Sequence, residues 1–214
     1  IAHLQALCDN AKLANRPHIK THKSPLLALQ QMAAGAIGIT CQKLGEAEVM
    51  ARAGITDILI ATNVIGAARS GKLAALLQAV SFTICADNPT SLDVYAEAGR
   101  TAGRPVTVVI ECDTGQKRAG VTTPNEVVAL AKMVQDDPWL EFGGLMFYPP
   151  LDSWPTTQEF LGTTQTGLSS LGITPKIIST GGTPNLKNLG QLDGATEHRS
   201  GTSIFNDRMM MAAD

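Results

Sequence analysis

The residues best suited to chemistry near the start of the chain are the imidazoles and amines of residues 16–24 (RPHIKTHKS). Pro17 cannot lie inside a helix, and the alternation after it predicts a short strand. Because side chains alternate along a strand, His18, Lys20 and His22 would share the inward face. A lysine inside a fold is costly unless its charge is lost or used. Lys20 is therefore a candidate amine nucleophile, and a loop of solvated lysines is the alternative interpretation.

A second chemically suited segment, residues 179–184 (STGGTP), follows a short apolar run. Its two glycines let the backbone approach a ligand closely, and its hydroxyls can donate hydrogen bonds. Pro184 is expected to begin a helix whose free N–H groups favour an anion such as phosphate. An ordinary glycine turn with a threonine cap is the alternative. The candidate anion contacts are Ser179, Thr180, Gly181, Gly182, Thr183, Gly201 and Thr202.

Alternating strand and helix patterns position these segments. Strands are predicted to begin near residues 17, 37, 58, 81, 106, 142, 176 and 197, and helices over 1–13, 26–34, 44–53, 66–79, 89–102, 124–136, 155–171 and 185–191. Strict alternation implies a parallel sheet, and eight units in about 200 residues are what a closed (β/α)8 barrel needs. We predict this α/β fold; an open doubly wound sheet is the alternative, although the chain lacks its GxGxxG fingerprint.

Barrel closure would bring these polar segments together, because the chemistry of such barrels lies where strands end. Barrels often hold a phosphate after strands 7 and 8, and Lys20 on strand 1 would be its neighbour. A phosphorylated carbonyl compound fits, because a lysine amine forms an imine with it. Pyridoxal 5'-phosphate is the obvious candidate. Gln42, Asn63 and Tyr148 follow strands 2, 3 and 6 and are weaker candidates for the same site.

Composition limits the other classes of function. The formal net charge of −2 leaves no footprint for nucleic acid or an anionic membrane. We find no membrane-length apolar run and no signal peptide, so we expect a cytoplasmic protein. The four cysteines form no CxxC pair and are expected to be buried free thiols, and the histidines lack metal-ligand spacing. The first residue, Ile1, and the last, Asp214, are interpreted as the ends of a fragment.

Four motifs together resemble the D-threonine aldolase and D-serine dehydratase-like family, within the alanine racemase-like group of pyridoxal phosphate barrels. They are residues 18–23 (HIKTHK), 113–120 (DTGQKRAG), 179–183 (STGGT) and 199–207 (RSGTSIFND). The resemblance covers the whole chain, with Ser203 standing where an aromatic residue is usual. It implies a cofactor-binding barrel of the alanine racemase N-terminal-domain type over residues 1–205. Residues 206–214 would begin a C-terminal β domain that is absent from this chain.

The resemblance also implies roles for individual residues. Lys20, and not Lys23, is the lysine that forms the Schiff base with the cofactor. Arg118 approaches the cofactor hydroxyl or the substrate carboxylate, Arg199 faces the pyridine nitrogen, and Tyr148 packs on the ring or reaches the phosphate. A surface arginine and a core aromatic residue are the alternatives for Arg118 and Tyr148. The predicted catalytic residues are Lys20, His22 as a proton relay, and Arg118; the predicted cofactor contacts are Lys20, His18, Gln42, Tyr148, Arg199 and the seven anion contacts above.

The implied activity is that of a pyridoxal phosphate-dependent lyase acting on D-β-hydroxy amino acids. Cleavage of Cα–Cβ would give glycine and an aldehyde, and loss of the β-hydroxyl would give a keto acid and ammonia. The absent domain would supply divalent-metal ligands and complete a homodimer. The alternatives are a non-catalytic single-barrel pyridoxal phosphate carrier, an amino acid racemase, and a cofactor-free aldolase that uses Lys20 alone.

Overall fold

Eight parallel strands alternate with helices in the computed structural model, which describes residues 1–205. The strands are β1 (Ala14–Asn15), β2 (Ile39–Cys41), β3 (Asp57–Ile60), β4 (Ser81–Ala86), β5 (Val106–Cys112), β6 (Leu140–Phe147), β7 (Ile177–Gly181) and β8 (Glu197–Arg199). The helices are α1 (Ala2–Asn10), α2 (Pro25–Ala33), α3 (Leu44–Arg52), α4 (Ser70–Ala79), α5 (Pro89–Ala102), α6 (Pro124–Asp136) and α7 (Trp154–Ser170). The predicted alternation is confirmed.

Hydrogen bonds close the sheet into a barrel. Strand β1 pairs with β8, and the order then runs through β7, β6, β5, β4 and β3 to β2. The remaining gap is bridged where Ile37 N donates to Asn15 O at 3.0 Å and Thr40 N donates to Pro17 O at 2.8 Å. The predicted (β/α)8 barrel is therefore confirmed, and the open doubly wound sheet is excluded.

The first strand is shorter than the sequence predicted, and it ends before the lysine motif. Residues Ile19–Thr21 form a 3₁₀ turn, which His18 caps by accepting the Lys20 N–H at its ring Nδ1, 3.3 Å away. The fully buried side chain of Ile19 anchors this turn in the core. The interpretation that His18, Lys20 and His22 share one strand face is therefore wrong, although the motif does follow the carboxyl end of β1.

Apolar side chains on alternate strand positions build two separate cores, as the alternation of a β-strand requires. The larger core lies between the strands and the helices and includes Ile58, Ile84, Val108 and Leu161. A smaller apolar cluster contains Leu59, Cys85, Val109 and Met146, which alternate with members of the larger core. All four cysteines are free and buried, as the sequence predicted.

A buried charge network crosses part of the barrel. The guanidinium of Arg16, which directly follows β1, donates from Nε to Glu197 Oε2 on β8 at 2.8 Å, and from Nη1 to Asp57 on β3. Gly38 leaves the room for this arrangement, because a Cβ there would lie 2.5 Å from Arg16 Nη1. The network therefore links strands that are far apart in the sequence.

Residues 206–214, which the sequence assigns to the start of a second domain, lie outside the described residues. They include Asn206 and Asp207 of the last family motif. Within residues 1–205, no helix combines the length and the apolar character needed to cross a bilayer.

Candidate active site

A pocket opens at the carboxyl ends of the strands and contains about 600 Å³ of empty space, including solvent at its mouth. The predicted site residues that line it are His18, Lys20, Gln42, Arg118, Tyr148, Gly182, Thr183, Arg199, Gly201 and Thr202. The fold thus brings together segments that are almost 200 residues apart in the chain.

Lys20 is the amine of the pocket. It is exposed, because the 3₁₀ turn places it at the pocket mouth. Desolvation by burial, followed by the charges of Arg118 and Arg199, lowers the pKa of Lys20. A lower pKa raises the fraction of neutral amine, which is the form that attacks a carbonyl carbon. In contrast, Lys23 lies outside the pocket, with its amine 3.5 Å from Glu46.

His18 forms a neutral wall of the pocket. Its Nδ1 accepts from the Lys20 backbone, so its Nε2 carries the proton and donates to Gln42 Oε1 at 3.1 Å. Burial, with smaller contributions from the charges of Lys20 and Arg199, lowers the pKa of His18 to about 3. The ring therefore stays uncharged at neutral pH and can pack against a flat ligand.

Arg199 is a buried cation that is held rigidly on β8. Its Nε donates to Ser179 Oγ at 2.8 Å and its Nη2 donates to Phe147 O at 2.7 Å. The Ser179 hydroxyl in turn donates to Glu197 Oε1 at 2.7 Å. These bonds fix the plane of the guanidinium where it lines the pocket. The predicted role of Arg199, facing a ring nitrogen, is compatible with this position and stays a prediction.

Arg118 and Tyr148 lie against each other at the pocket. The guanidinium carbon of Arg118 is 4.6 Å from the centroid of the Tyr148 ring, within cation–π distance. Arg118 follows β5 in the glycine-rich loop, and its side chain is 57% exposed. Tyr148 follows β6 and is half-buried. Tyr148 therefore lines the pocket, and its alternative placement as a core residue is wrong.

Two backbone N–H groups converge on one point after β7 and β8. Gly201 N and Thr202 N both donate to Thr183 Oγ1, at 3.0 and 2.8 Å. Side chains are excluded nearby, because a Cβ on Gly182 would lie 2.5 Å from the Tyr148 ring. Convergent N–H groups suit an anion. The donors differ from those predicted, since Pro184 begins only a six-residue 3₁₀ turn, Thr183–Asn188, instead of an α-helix.

Five predicted residues do not line the pocket, among them Asn63, which lines an adjoining cavity together with Lys20 and Arg118. Ser179, Thr180 and Gly181 are buried beneath it, where the Thr180 hydroxyl contacts His198 Nδ1 at 3.1 Å. His22 lies at the end of the 3₁₀ turn and accepts from Ser24 N at 3.1 Å. The structure therefore does not bring His22 to the reacting face, and its proton relay stays a prediction.

Sequence reasoning missed Glu111 as a site residue. Its carboxylate lines the pocket from the end of β5 and is 5% exposed. Burial raises the pKa of Glu111, and the charges of Arg199 and Arg118 oppose that increase. The sequence did contain a signal for this residue, because Glu111 stands at the end of the predicted strand that begins near residue 106, which is rich in β-branched residues. Its partners could not be identified, because they come from other strands and from the following loop.

The described residues offer no evident metal site. No group of three or more His, Cys, Asp or Glu side chains within residues 1–205 is arranged to hold a metal ion. The pocket does suit a phosphorylated ring of the pyridoxal type: it combines an amine, a neutral flat wall, cations and convergent backbone donors.

Comparisons with known proteins agree with this geometry. A family model described as alanine racemase, N-terminal domain, matches residues 1–208. The D-threonine aldolase of Arthrobacter sp is 41% identical over 145 residues, which is 68% of this chain and 38% of that protein. The D-threo-3-hydroxyaspartate dehydratase of Delftia sp. (strain HT23) is 32% identical over 222 residues, which is 98% of this chain and 58% of that protein.

A solved structure extends the likeness to three dimensions. The crystal structure of D-threonine aldolase from Filomicrobium marinum superposes with a TM-score of 0.91 and 28% identity, covering 98% of this chain and 60% of that one. This chain spans about half the length of the curated relatives that it matches.

Proposed function

Because this chain belongs to the alanine racemase N-terminal domain family, we propose that it is the cofactor-binding barrel of a lyase for D-β-hydroxy amino acids. The proposed cofactor is pyridoxal 5'-phosphate, the cofactor of this family. One observation carries the proposal. An amine with a lowered pKa, Lys20, lines the same pocket as the convergent N–H groups of Gly201 and Thr202.

The pocket residues match the parts of that cofactor. Lys20 would hold its aldehyde carbon as a Schiff base. The Thr183 hydroxyl accepts from Gly201 N and Thr202 N, which leaves its own proton to donate to the phosphate. The neutral ring of His18 would pack on the pyridine, with the Arg199 guanidinium facing the ring nitrogen. When bound, the cofactor supplies a sink for the electrons of the bond that breaks at Cα of the substrate.

The chain's own residues supply the remaining functions. The amine of Lys20 is the proposed proton carrier at the substrate, since a lowered pKa raises its fraction of neutral, proton-accepting amine. The guanidinium of Arg118, supported by the Tyr148 ring, is the proposed partner of the cofactor hydroxyl or of the substrate carboxylate.

Aldol cleavage to glycine and an aldehyde is the reaction that we place first, ahead of dehydration. Its support is the 41% identity to a D-threonine aldolase, against 32% to a D-threo-3-hydroxyaspartate dehydratase. A divalent metal that activates the β-hydroxyl would need ligands from outside residues 1–205. A homodimer in the cytoplasm remains part of the proposal.

Product analysis tests this function. The complete polypeptide, loaded with pyridoxal phosphate and a divalent metal, is incubated with D-threonine, D-serine and their L-enantiomers, and the products are separated. We expect glycine and acetaldehyde from D-threonine, with Lys20→Ala as the inactive control. Keto acid and ammonia alone would establish the dehydratase instead. Racemisation, or cofactor binding without turnover of any substrate, would contradict lyase function.

A further inference from the structure

Glu111 is the only carboxylate among the described residues that line the pocket, where it faces the cations Lys20, Arg118 and Arg199. It lies on β5, so its backbone is fixed by pairing with β4 and β6. A buried carboxylate is retained in a site only when other groups compensate for its lost hydration. The contacts of Glu111 therefore indicate what it does there.

Each oxygen of this carboxylate has its own partner. Oε1 lies 4.0 Å from Arg118 Nη2, and Oε2 accepts from the Cys85 thiol, 3.7 Å away on β4. The thiol holds one side of the carboxylate against the barrel interior. The other side is left to attract the arginine at the pocket.

The loop after β5 returns Arg118 to Glu111. Val121 N donates to Glu111 O at 2.9 Å, and Asp113 N donates to Val121 O at 2.9 Å, so the loop begins and ends at the strand. Gly120 N donates to Asp87 Oδ2 at 3.0 Å, which fixes the loop from the β4 side. These bonds hold the backbone but leave the long Arg118 side chain unrestrained.

Two side chains, Tyr148 and Glu111, restrict the movement of the Arg118 side chain. Arg118 is more than half exposed, and an unrestrained arginine loses considerable rotamer entropy when it is fixed. The Tyr148 ring contacts its face, and the Glu111 carboxylate attracts its edge from the barrel side. A planar guanidinium held on its face and its edge has little freedom to turn towards solvent.

We propose that Glu111 is a positioning residue that holds the Arg118 guanidinium against Tyr148 and directs it into the pocket. This inference rests on the proposed function, because Arg118 is there a ligand-contacting group. Burial raises the pKa of Glu111, and the charges of Arg199 and Arg118 oppose that increase by favouring the charged carboxylate. Glu111 acts through Arg118 and is not itself expected to contact the ligand.

A double-mutant cycle tests the proposal in the complete polypeptide. The dissociation constant of pyridoxal phosphate is measured from its visible absorbance for wild type, Glu111→Gln, Arg118→Met and the double variant. Replacing a residue that orients a metal ligand typically costs about 10- to 100-fold in affinity or activity, and we take the lower end of that range for this arginine. With the ion pair at 4.0 Å, we expect roughly tenfold weaker binding for Glu111→Gln and less than about twofold further loss in the Arg118→Met background.

Three controls separate this role from others. Glu141→Gln removes an exposed carboxylate that pairs with Lys176, and it should leave binding unchanged. Glu111→Asp keeps the charge and should recover part of the lost affinity. The thermal unfolding midpoint of each apo protein shows whether the fold is retained.

Other outcomes overturn the proposal. Equal losses from Glu111→Gln in both backgrounds would assign Glu111 a structural role independent of Arg118. Tighter binding by Glu111→Gln would show that its charge merely repels the anionic ligand. If wild type binds cofactor normally and Glu111→Gln matches it, only the role of Glu111 fails; if wild type does not bind, the proposed function fails with it.

Discussion

Burial keeps two histidines neutral: His18, which follows β1, and His198, which lies on β8. Desolvation lowers the pKa of His18 to about 3, and desolvation together with the Arg199 charge lowers the pKa of His198 to about 4. Both rings are therefore neutral where the positive groups of the pocket gather. A charged ring at either position would add to the repulsion between Lys20 and Arg199, which burial already makes costly.

This burial gives the protein an acid-sensitive stability. An unfolded histidine has a pKa of about 6.5, so below that pH the unfolded chain binds a proton that the folded His198 does not bind. Burial of neutral His198 therefore has no cost above pH 6.5, and the free energy of unfolding decreases as the pH falls from 6.5 towards 4. At pH 5 this decrease should be about 2 kcal/mol.

Urea denaturation at pH 7 and pH 5 measures this effect. We expect wild type to lose about 2 kcal/mol more than His198→Gln between the two pH values, because glutamine does not titrate. Carboxylates titrate alike in both proteins and cancel in the difference. An identical pH dependence in the two proteins would show that His198 is protonated in the folded state.

Among individual residues, chemical type and position after a strand were enough to identify most of the pocket. Lys20, Arg118 and Arg199 were predicted from motifs, and all three line it. His22 and Ser179 were predicted from the same motifs but lie outside the lining. Local sequence specifies which residues neighbour each other along the chain, whereas the direction of each side chain depends on packing from distant strands.

At the level of elements, a bulge in β6 allows this strand to approach β7 closely. Gly143 is the extra residue, since Phe142 pairs with Val108 and Gly144 with Val109. Gly144 has φ +150, and a Cβ there would lie 1.9 Å from Ile177 O on β7. No side chain fits at that distance, so the β6–β7 pairing requires glycine.

Replacing Gly144 by alanine should therefore destabilise the barrel strongly. We expect a loss of more than about 3 kcal/mol in unfolding free energy, because the neighbouring strand backbone cannot move away. Gly45→Ala on exposed helix α3 is the matched control, since no atom lies within 4 Å of its Cβ position. It should change stability by no more than about 1 kcal/mol. Similar stability of the two variants in guanidinium denaturation would refute this reading of the bulge.

Element types were more predictable than their ends. Seven of the eight predicted helices are present as α1 to α7, because each has apolar residues at helical spacing and several begin with proline at the first turn. The first strand was misplaced by a few residues, since His18 and Ile19 alternate as in a strand. Ring capping by His18 and burial of Ile19 favour a 3₁₀ turn instead. The alternation pattern carries no information about that capping bond.

Across the whole molecule, the Arg16 network joins the first, third and last strands. Removing one partner of a buried ion pair leaves the others uncompensated and typically costs about 3–5 kcal/mol. Arg16→Met should destabilise the barrel by that amount, because Glu197 and Asp57 lose their shared cation. Lys132→Met, which breaks the exposed pair with Asp136, should cost less than about 1 kcal/mol.

Chemical denaturation of both variants distinguishes a structural pair from a dispensable one. A loss for Arg16→Met no larger than that for Lys132→Met would contradict the assigned role of the network. The sequence alone could not predict this network, because Arg16 was interpreted with the lysine motif and its partners lie 41 and 181 residues away. In contrast, the barrel itself was predictable, since eight repeated β/α patterns allow few other closures.

The central claim is that Lys20 forms the covalent link to pyridoxal phosphate within this barrel. The visible absorbance of the protein after incubation with pyridoxal phosphate and removal of the free cofactor tests it directly, using Lys20→Ala and Lys23→Ala side by side. Lys20→Ala should lose the absorbance and Lys23→Ala should keep it, because Lys20 lines the pocket and Lys23 pairs with Glu46 outside it. Absorbance retained by Lys20→Ala and lost in Lys23→Ala would contradict the account.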